Sequence, residues 1–495
     1  MIIKTLDNLR LYPVTIIGSG PASLTLALEL EEKKIPCLIL EAGSFERTED
    51  SQDFYKGYSG GENSYLQPLH LRRSRMFGGT SYLWSGLSRP LDEYDFKEWP
   101  IKKNDIDPYY KKAAKILELK SDFKNDILLN ENIKQVEYEY SNQESALAKK
   151  KKFFESEPVR FATKYNQRIK KSKYIHLSLN SPVTQIIGTD SVVTHVMVKT
   201  NHAIKKINVK NLIVGCGGYE NARLLLWSQE TSKNAFLKNV VIGTHFNAHP
   251  NWPLGRGIAR IKDLDNHFQN KLKNPIHGGT YILSPTKRFI EQRNIKNISI
   301  RVLKSEHHIK YKELLRELMC VAPNYGKKIA EMANKKIFCG HVMFACVSEQ
   351  EPLETNKVTL SKNDFDKFGI PRIHMQFELQ DSVRKTMSTF LEEIGKYFIT
   401  HELGRISIED WLYDYNKKFS IHGIADNGCH HIGSTRMGEN IKNSVVDKNL
   451  LVHNTKNLYV VGSSTFTTGG AVNPTLSICQ LSLKLADYLE RNIEI

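Results

Sequence analysis

A short apolar run followed at once by a glycine-rich turn constrains what the start of this chain can fold into. Val14–Ile17 is apolar and rich in β-branched residues, Gly18-Ser19-Gly20-Pro21 is the turn, and a helical pattern follows. Cys37–Leu40 is the next apolar run, and Glu41 stands directly after it. This order of strand, glycine turn, helix, second strand and acid predicts a βαβ unit of the kind that binds a dinucleotide.

Each residue of this unit has a physical reason to be there. Gly18 permits the tight turn, and Gly20 lets the backbone approach a pyrophosphate at the N-terminal end of the helix. A carboxylate at Glu41 can accept hydrogen bonds from the hydroxyls of an adenosine ribose. Ser23 replaces the third glycine of the usual pattern and is small enough to pack. The alternative interpretation is a glycine turn in some other α/β fold.

Two further strand–turn–helix units follow much later in the chain. Asn211–Val214 leads into a glycine turn and a helix, and Leu458–Val461 leads into Gly462-Ser463. In the last unit Asn473 is a suitable N-cap and Pro474 a suitable first helical residue. Short apolar strands that alternate with helices predict a parallel sheet, so we expect an α/β fold.

The middle of the chain has a different pattern. Val342–Val347 is a strand-like run, and apolar residues alternate over 373–379, which predicts an antiparallel sheet with one solvated face. We expect a discontinuous Rossmann-like domain over 1–250 plus 421–495, with a lid excursion near 111–155. An α+β domain built on the antiparallel sheet is expected as an insertion over 251–420.

Two other segments carry candidate chemistry. Gly78-Gly79-Thr80-Ser81 joins two glycines to two hydroxyls, which suits a loop lying flush against a flat or anionic ligand; an ordinary structural loop is the alternative. His430 and His431 are adjacent, so in a strand their side chains point to opposite faces and cannot share one role. By themselves they are candidates for a metal ligand, a packed core residue or a catalytic base.

Taken together, these motifs resemble the glucose–methanol–choline (GMC) oxidoreductases, which are FAD enzymes that oxidise alcohols. The resemblance covers the N-terminal hundred residues, about 180–250, and 420–495. It rests on the order of the nucleotide fold, the glycine–hydroxyl loop, the second half of the FAD site, a substrate domain, and then the segments around His430 and Asn473. It implies that the discontinuous domain binds FAD and that 251–420 binds substrate.

The resemblance also implies roles for individual residues. The residues expected to hold FAD are Gly18, Gly20, Ser23, Glu41, Gly78, Gly79, Thr80, Ser81, Val183, Gly462, Ser463, Pro474 and Thr475. Among them, Val183 matches the strand whose backbone contacts the adenine. His430 and Asn473 match the two catalytic positions of the family, and no metal ion is expected.

Three departures from the family pattern refine this expectation. Leu83 stands where flavinylated members carry a histidine, so FAD is expected to be bound non-covalently. Trp84 replaces an asparagine, and the SGxG segment that often follows the second FAD segment is absent after Trp227. The chain is therefore most similar to the bacterial sugar and polyol dehydrogenase and pyranose-oxidase branch of the family.

The resemblance leads to a mechanism. An alkoxide is a far better hydride donor than an alcohol, and we expect His430 to accept the hydroxyl proton while hydride passes to flavin N5. Asn473 would hold the same oxygen through its amide, and its helix would direct its positive dipole end at the reduced flavin. His431 is interpreted as structural, and no catalytic role is predicted for His249.

The leading hypothesis is therefore FAD-dependent oxidation of an alcohol on a sugar, polyol or aminosugar, by a dehydrogenase rather than an oxidase. The electron acceptor (oxygen, a quinone or a protein carrier) stays open. One alternative is a GMC-type lyase in which FAD has no redox role. Another is a binder of nucleic acid or membrane surfaces through lysine clusters such as Lys149–Lys152.

Composition bears on that last alternative. The chain has 70 lysines and arginines against 54 acidic residues, which gives a net charge of +16. This charge permits contact with polyanions, but it is also typical of a solvated surface. No nucleic-acid motif supports the alternative, so no nucleic-acid partner is expected. Seven widely spaced cysteines suggest no disulfide framework or zinc site. With no signal-type segment or transmembrane run, the expected location is the cytoplasm.

Overall fold

The computed structural model describes most of the chain. The described residues are 1–61, 68–141, 158–200, 203–231, 237–259, 261–269, 272, 280–304, 314–315, 318–319, 321–332, 342–416, 419 and 430–493. Part of the predicted lid excursion and the Lys149–Lys152 cluster lie outside them. No helix among these residues has both the length and the apolar character needed to cross a membrane.

The described strands and helices are numbered here in chain order. The strands are β1 Val14–Ile17, β2 Cys37–Leu40, β3 Gly57–Gly60, β4 Leu87–Ser88, β5 Ile127–Leu128, β6 Ile133–Gln135, β7 Glu139–Tyr140, β8 Ile175–Ser178, β9 Val183–Thr189, β10 Val192–Lys199, β11 Ile204–Asn208, β12 Asn211–Val214, β13 Pro253–Ala259, β14 Thr280–Pro285, β15 Ile298–Lys304, β16 Val342–Ser348, β17 Lys357–Phe365, β18 Pro371–Gln376, β19 Gly404–Ile408 and β20 Leu458–Val460. The helices are α1 Pro21–Glu32, α2 Glu49–Asp53, α3 Tyr110–Leu117, α4 Phe161–Lys171, α5 Glu220–Thr231, α6 Ile261–His267, α7 Lys287–Arg293, α8 Pro323–Met332, α9 Asp381–Thr400 and α10 Thr475–Asn492.

The predicted parallel sheet is confirmed. Its five strands lie in the order β20-β12-β1-β2-β8, and every pairing is parallel. β1 is central and fully buried, as expected of an apolar strand covered on both faces. Because β1 has β2 on one side and β12 on the other, the loops after β1 and β12 diverge and leave a crevice at the carboxyl edge, where ligands of such sheets bind.

Helix α1 is buried over most of its length because it lies in the core. All residues from Ala22 to Leu30 are buried, and α1 packs against α10, the last helix of the chain. The two ends of the sequence are thereby joined at one edge of the sheet. This packing brings the segment before α10 to the crevice formed by β1 and β12.

The second large unit is an antiparallel sheet, also as predicted. Its seven strands lie in the order β19-β13-β16-β15-β14-β6-β5, and the predicted strand at 342–347 is β16 within it. α9 packs across β13, β15 and β16. The last two strands, β6 and β5, come from the predicted lid excursion, so the sheet takes strands from both sides of residue 250.

The strand predicted from alternation, β18, lies in a separate three-stranded sheet. The alternating residues of β18 do not join the seven-stranded sheet; β18 pairs antiparallel with β17 and parallel with β3, near the N-terminus. Alternation is real, since Ile373 and Met375 are buried while His374 and Gln376 are exposed. It identifies the buried face but carries no information about the partner strand. Two sheets thus combine strands from both sides of the predicted domain limit at 250.

Candidate functional site

A cavity of about 590 Å³ lies along the carboxyl edge of the parallel sheet. It is lined by all of the site residues predicted from the sequence except Ser23 and Gly78, namely Gly18, Gly20, Glu41, Gly79, Thr80, Ser81, Val183, His430, Gly462, Ser463, Asn473, Pro474 and Thr475. These residues come from five separate parts of the chain. The volume is in the range of natural cofactor and ligand sites.

The glycine turns present bare backbone to this cavity. Gly18 has φ +90°, and a Cβ there would lie 2.6 Å from the Gly215 carbonyl oxygen, so only glycine lets the two loops meet. Gly20 and Gly217 instead face open space, because a Cβ at either position would meet no atom within 4 Å. Open space beside bare backbone at the start of α1 is what a bound pyrophosphate requires.

Ser23 and Gly78 lie behind the wall of the cavity. The Ser23 hydroxyl is buried and donates to the Gly215 carbonyl at 3.2 Å, which holds α1 close to the loop after β12. Gly78 has φ +84°, and its N–H donates to the Ser19 carbonyl at 3.1 Å. Both residues shape the wall, and direct contact with a cofactor remains a prediction for them.

Glu41 keeps acceptor capacity beside the cavity. Its Oε2 accepts from the Ser19 hydroxyl at 2.5 Å and its Oε1 accepts from the Gly43 N–H at 2.7 Å. These two bonds fix the buried carboxylate. Because each carboxylate oxygen can accept more than one bond, Glu41 can still receive hydroxyl donors from a ligand.

The loop after Gly78 forms one turn of 3₁₀-helix, and its hydroxyls brace the loop itself. Ser81 donates to the Gly78 carbonyl at 2.7 Å and accepts from the Phe161 N–H at 3.2 Å. Thr80 accepts from the Ser74 N–H at 3.3 Å, which leaves its O–H available as a donor. The loop therefore offers backbone and one hydroxyl donor to the cavity.

Two histidines meet where His430 lines the cavity. Nδ1 of His430 lies 2.8 Å from Nδ1 of His249, and the rings are perpendicular at 87°. Sequence reasoning assigned no role to His249, which stands 181 residues away. The only available signal was the short segment Asn247-Ala248-His249-Pro250, which does not reveal a partner.

Burial keeps both histidines neutral. It lowers the pKa of His249 to about 4, against a smaller opposing effect of the Gly469 and Gly470 backbone. The pKa of His430 lies well below 6.5 because of burial first, and then because of the nearby His249, His431 and Arg301. An imidazole that is neutral at pH 7 has a lone pair with which to accept a proton.

The neighbouring His431 faces a different environment. Its ring packs on Tyr219 with the ring centres 3.9 Å apart, and its side chain is 8% exposed. Its carbonyl accepts from the Ser463 hydroxyl at 2.6 Å, which ties this segment to the loop after β20. Its contacts are those of a packing residue, in keeping with the structural interpretation.

The predicted N-cap at Asn473 is wrong by one residue. α10 begins at Thr475, its N-cap is Pro474, and no side chain caps it. The Pro474 carbonyl accepts from the Ile478 N–H at 2.9 Å. Proline has no N–H and a fixed φ, so it suits the N-cap here as well as the first turn. The Asn473 amide therefore lies on the cavity wall rather than folding over the helix end.

A buried pair of acids supports the segment before Asn473. Gly470 has φ +58°, its N–H donates to Glu349 Oε1 at 3.3 Å, and a Cβ there would lie 2.7 Å from Asp95 Oδ2. Asn297 donates to both carboxyls, at 2.7 and 3.3 Å. Burial raises the pKa of Glu349 to about 7 and also raises that of Asp95. The sequence analysis did not find this pair.

Comparisons with known proteins agree with this arrangement. Residues 352–482 match the family model described as GMC oxidoreductase. The chain is 26% identical over 308 residues to 2-methyl-1,2-propanediol dehydrogenase of Mycolicibacterium austroafricanum, covering 61% of this chain and 52% of the relative. It is 30% identical over 169 residues to the fructose dehydrogenase large subunit of Gluconobacter japonicus, covering 34% and 28%. The matches thus span about half of the first relative and less of the second.

The fold has known counterparts as well. The crystal structure of pyridoxine 4-oxidase from Mesorbium loti superposes with a TM-score of 0.59, covering 96% of this chain and 98% of that one. Sequence identity over this match is 14%. The likeness establishes a shared fold, with a parallel-sheet unit and an antiparallel-sheet unit.

Proposed function

We propose, from the match of residues 352–482 to the GMC oxidoreductase family model, that the protein oxidises an alcohol with FAD. One observation carries the proposal. A single cavity has bare glycine turns of a dinucleotide fold in one part of its wall and a neutral histidine pair with an asparagine in another. The proposed reaction converts a carbinol to a carbonyl.

The residues present fit FAD. The open Cβ directions of Gly20 and Gly217, the start of α1 and the acceptor Glu41 suit a pyrophosphate and a ribose. Thr80 and Asn473 supply polar contacts elsewhere in the wall. When bound, FAD supplies the hydride acceptor at its N5 atom.

His430 is proposed as the base that takes the hydroxyl proton. Of two nitrogens 2.8 Å apart, one carries the proton and the other accepts it. If His430 Nδ1–H donates to His249, the Nε2 lone pair of His430 is free for the substrate; the opposite arrangement would leave that nitrogen protonated. The first arrangement is proposed because it leaves a base for the substrate; it places the proton of His249 on Nε2, which forms no hydrogen bond among the described residues.

His249 also stabilises the charge that forms. Once His430 has accepted a proton, its Nδ1–H bond to neutral His249 becomes charge-assisted and stronger. The low pKa of His249 keeps it an acceptor throughout. Asn473 is proposed to bind the same substrate oxygen through its amide and to fix its orientation, because its side chain does not cap α10.

The proposed substrate is a hydroxylated compound such as a sugar, polyol or aminosugar. The names of two relatives, one for a diol and one for a sugar, support this class. They also support a dehydrogenase over an oxidase. The electron acceptor is left open.

An anaerobic screen of sugars, aminosugars, polyols and simple alcohols tests the function. We expect at least one class to bleach the flavin of the purified holoprotein, because hydride transfer reduces it. Flavin that stays oxidised with every alcohol, in protein that a chemical reductant still bleaches, would contradict the proposal and favour a lyase with a non-redox FAD.

The bound FAD is proposed to be non-covalent. Leu83 lines the cavity at the position where flavinylated relatives are expected to carry a histidine, and an alkyl side chain offers no nucleophile. Acid precipitation is expected to leave the yellow colour in the supernatant. Colour that remains with the pellet after washing would show a covalent bond and refute this point.

A further inference from the structure

The cavity carries, beside His430, a positive charge that no described residue neutralises. Arg301 lines the cavity from β15 and is half-buried, on the face of the strand opposite to the fully buried Ile300 and Val302. A half-buried guanidinium loses part of its hydration, and an anion that entered the cavity would offset that cost. Its position therefore suits a negatively charged ligand.

No such partner is found among the described residues. Arg301 donates from Nη2 to the amide oxygen of Asn251 at 2.9 Å, which is a neutral acceptor, and it forms no ion pair within that part of the chain. Arg223, which lines the same cavity, shows the contrast. It contacts Asp366 at 2.7 Å and Glu220 at 3.3 Å.

No acid contacts Arg301 in the part of the chain that the structure describes. Its charge is among the causes that lower the pKa of His430, after burial and the two other histidines, which places it near the proposed base. The other polar cavity-lining residues that interact with it are Asn251, through its amide oxygen, and Tyr140, through its electrostatic effect. An anion is the ligand that would complete this group.

We propose that Arg301 and Asn251 form a subsite for an anionic group, a carboxylate or a phosphate, carried by the alcohol that enters the cavity. The Asn251 oxygen accepts one of the two Nη2 hydrogens, so the other Nη2–H and the N–H beside it, on Nη1 or Nε, can bind two oxygens of one anion. The substrate class is then a sugar acid or sugar phosphate rather than a neutral polyol. This deepens the proposed function, on which it rests.

Matched probes of one carbon skeleton test the subsite. Glucose, gluconate and glucose 6-phosphate are titrated into the holoprotein, with binding measured by calorimetry and by the flavin spectrum. We expect at least one of the two anions to bind on the order of 10- to 100-fold tighter than glucose, with a preference that falls as salt rises. The two anions distinguish a carboxylate site from a phosphate site.

Three variants locate the effect. Arg301→Gln is expected to abolish the preference for the anion over glucose, and Arg301→Lys is expected to keep part of it because the charge remains. Arg405→Gln is the control. It removes the same charge from an exposed position in β19, a strand of the same sheet, and should change nothing.

The outcomes separate this inference from the proposed function. Wild-type protein that binds all three probes equally refutes the subsite, whatever the variants do. An Arg301→Gln protein with a changed flavin spectrum and unchanged selectivity also refutes it, because the charge would then serve the cofactor. If anions bind through Arg301 and no alcohol ever bleaches the flavin, the subsite stands and the oxidation proposal fails.

Discussion

His430→Ala is expected to bind FAD like the wild type and to lose flavin reduction by substrate, by a factor of about 10²–10⁴. The side chain supplies the only proposed proton acceptor for the alcohol, and without it the hydride donor stays a neutral alcohol. The rate of flavin bleaching under anaerobic conditions measures the loss. The flavin content of the purified variant shows whether the cofactor site has survived.

His453→Ala is the matched control for that variant. His453 is also partly buried, and its ring bonds to the Ser444 hydroxyl at 2.9 Å, but it does not line the cavity. We expect the flavin of His453→Ala to bleach at the wild-type rate. Wild-type bleaching in His430→Ala itself would remove His430 from the reaction.

The pH profile of the wild type belongs to the same test. Because the pKa of His430 is lowered, the imidazole is neutral above that pKa and becomes protonated only in acid. The rate of flavin reduction should therefore rise with pH, reach half its maximum below pH 6.5, and stay level through neutrality. The residual rate of flavin reduction in His430→Ala should not show this rise with pH.

Gly20→Val is expected to fold and to lose FAD almost completely. A Cβ at this position would meet no protein atom within 4 Å, and the backbone of Gly20, with φ −72°, is one that any residue adopts. The cost to α1 is about 1 kcal/mol, since the change puts valine at an N-cap. The space that valine fills is the space proposed for the pyrophosphate. Flavin absorbance per protein, with circular dichroism for the fold, measures both effects.

Two other glycines separate loss of ligand from loss of fold. Gly395→Ala, within α9, also meets no atom within 4 Å but lies away from the cavity, so it should keep FAD and gain about 0.5–1 kcal/mol of stability. Gly18→Ala is strained by its φ of +90° and its contact with Gly215, so fold and flavin should fail together. A Gly20→Val protein that purifies with stoichiometric flavin would show that the pyrophosphate lies elsewhere.

The sequence predicted the strands of the parallel sheet well because its signals are local. A strand, a glycine turn and a helix start occupy consecutive residues, and their physical roles follow from chain geometry alone. Val14–Ile17, Cys37–Leu40 and Asn211–Val214 are strands with the predicted bounds. The glycine–hydroxyl loop and the last helix lie at the same cavity, as the family resemblance implied.

The rest of the site has no local signal. Asp95 and Asn297 are 202 residues apart, and only the packed fold shows that they share a hydrogen bond beneath the Gly470 turn. For β18, likewise, the sequence indicates which face is buried but not that β3 is a partner strand. The alternation of apolar residues is the same whichever strand lies beside it.

The amino-acid order alone thus determined that the chain builds a parallel sheet with glycine turns at its carboxyl edge, and that His430 and Asn473 are the residues to inspect. Tertiary structure alone decided that His249 meets His430 and that Arg301 enters the same cavity, where no described acid pairs with it. The reason is physical. Backbone conformation depends on neighbours in the chain, whereas the proton and charge partners of a side chain depend on which distant segments pack against it.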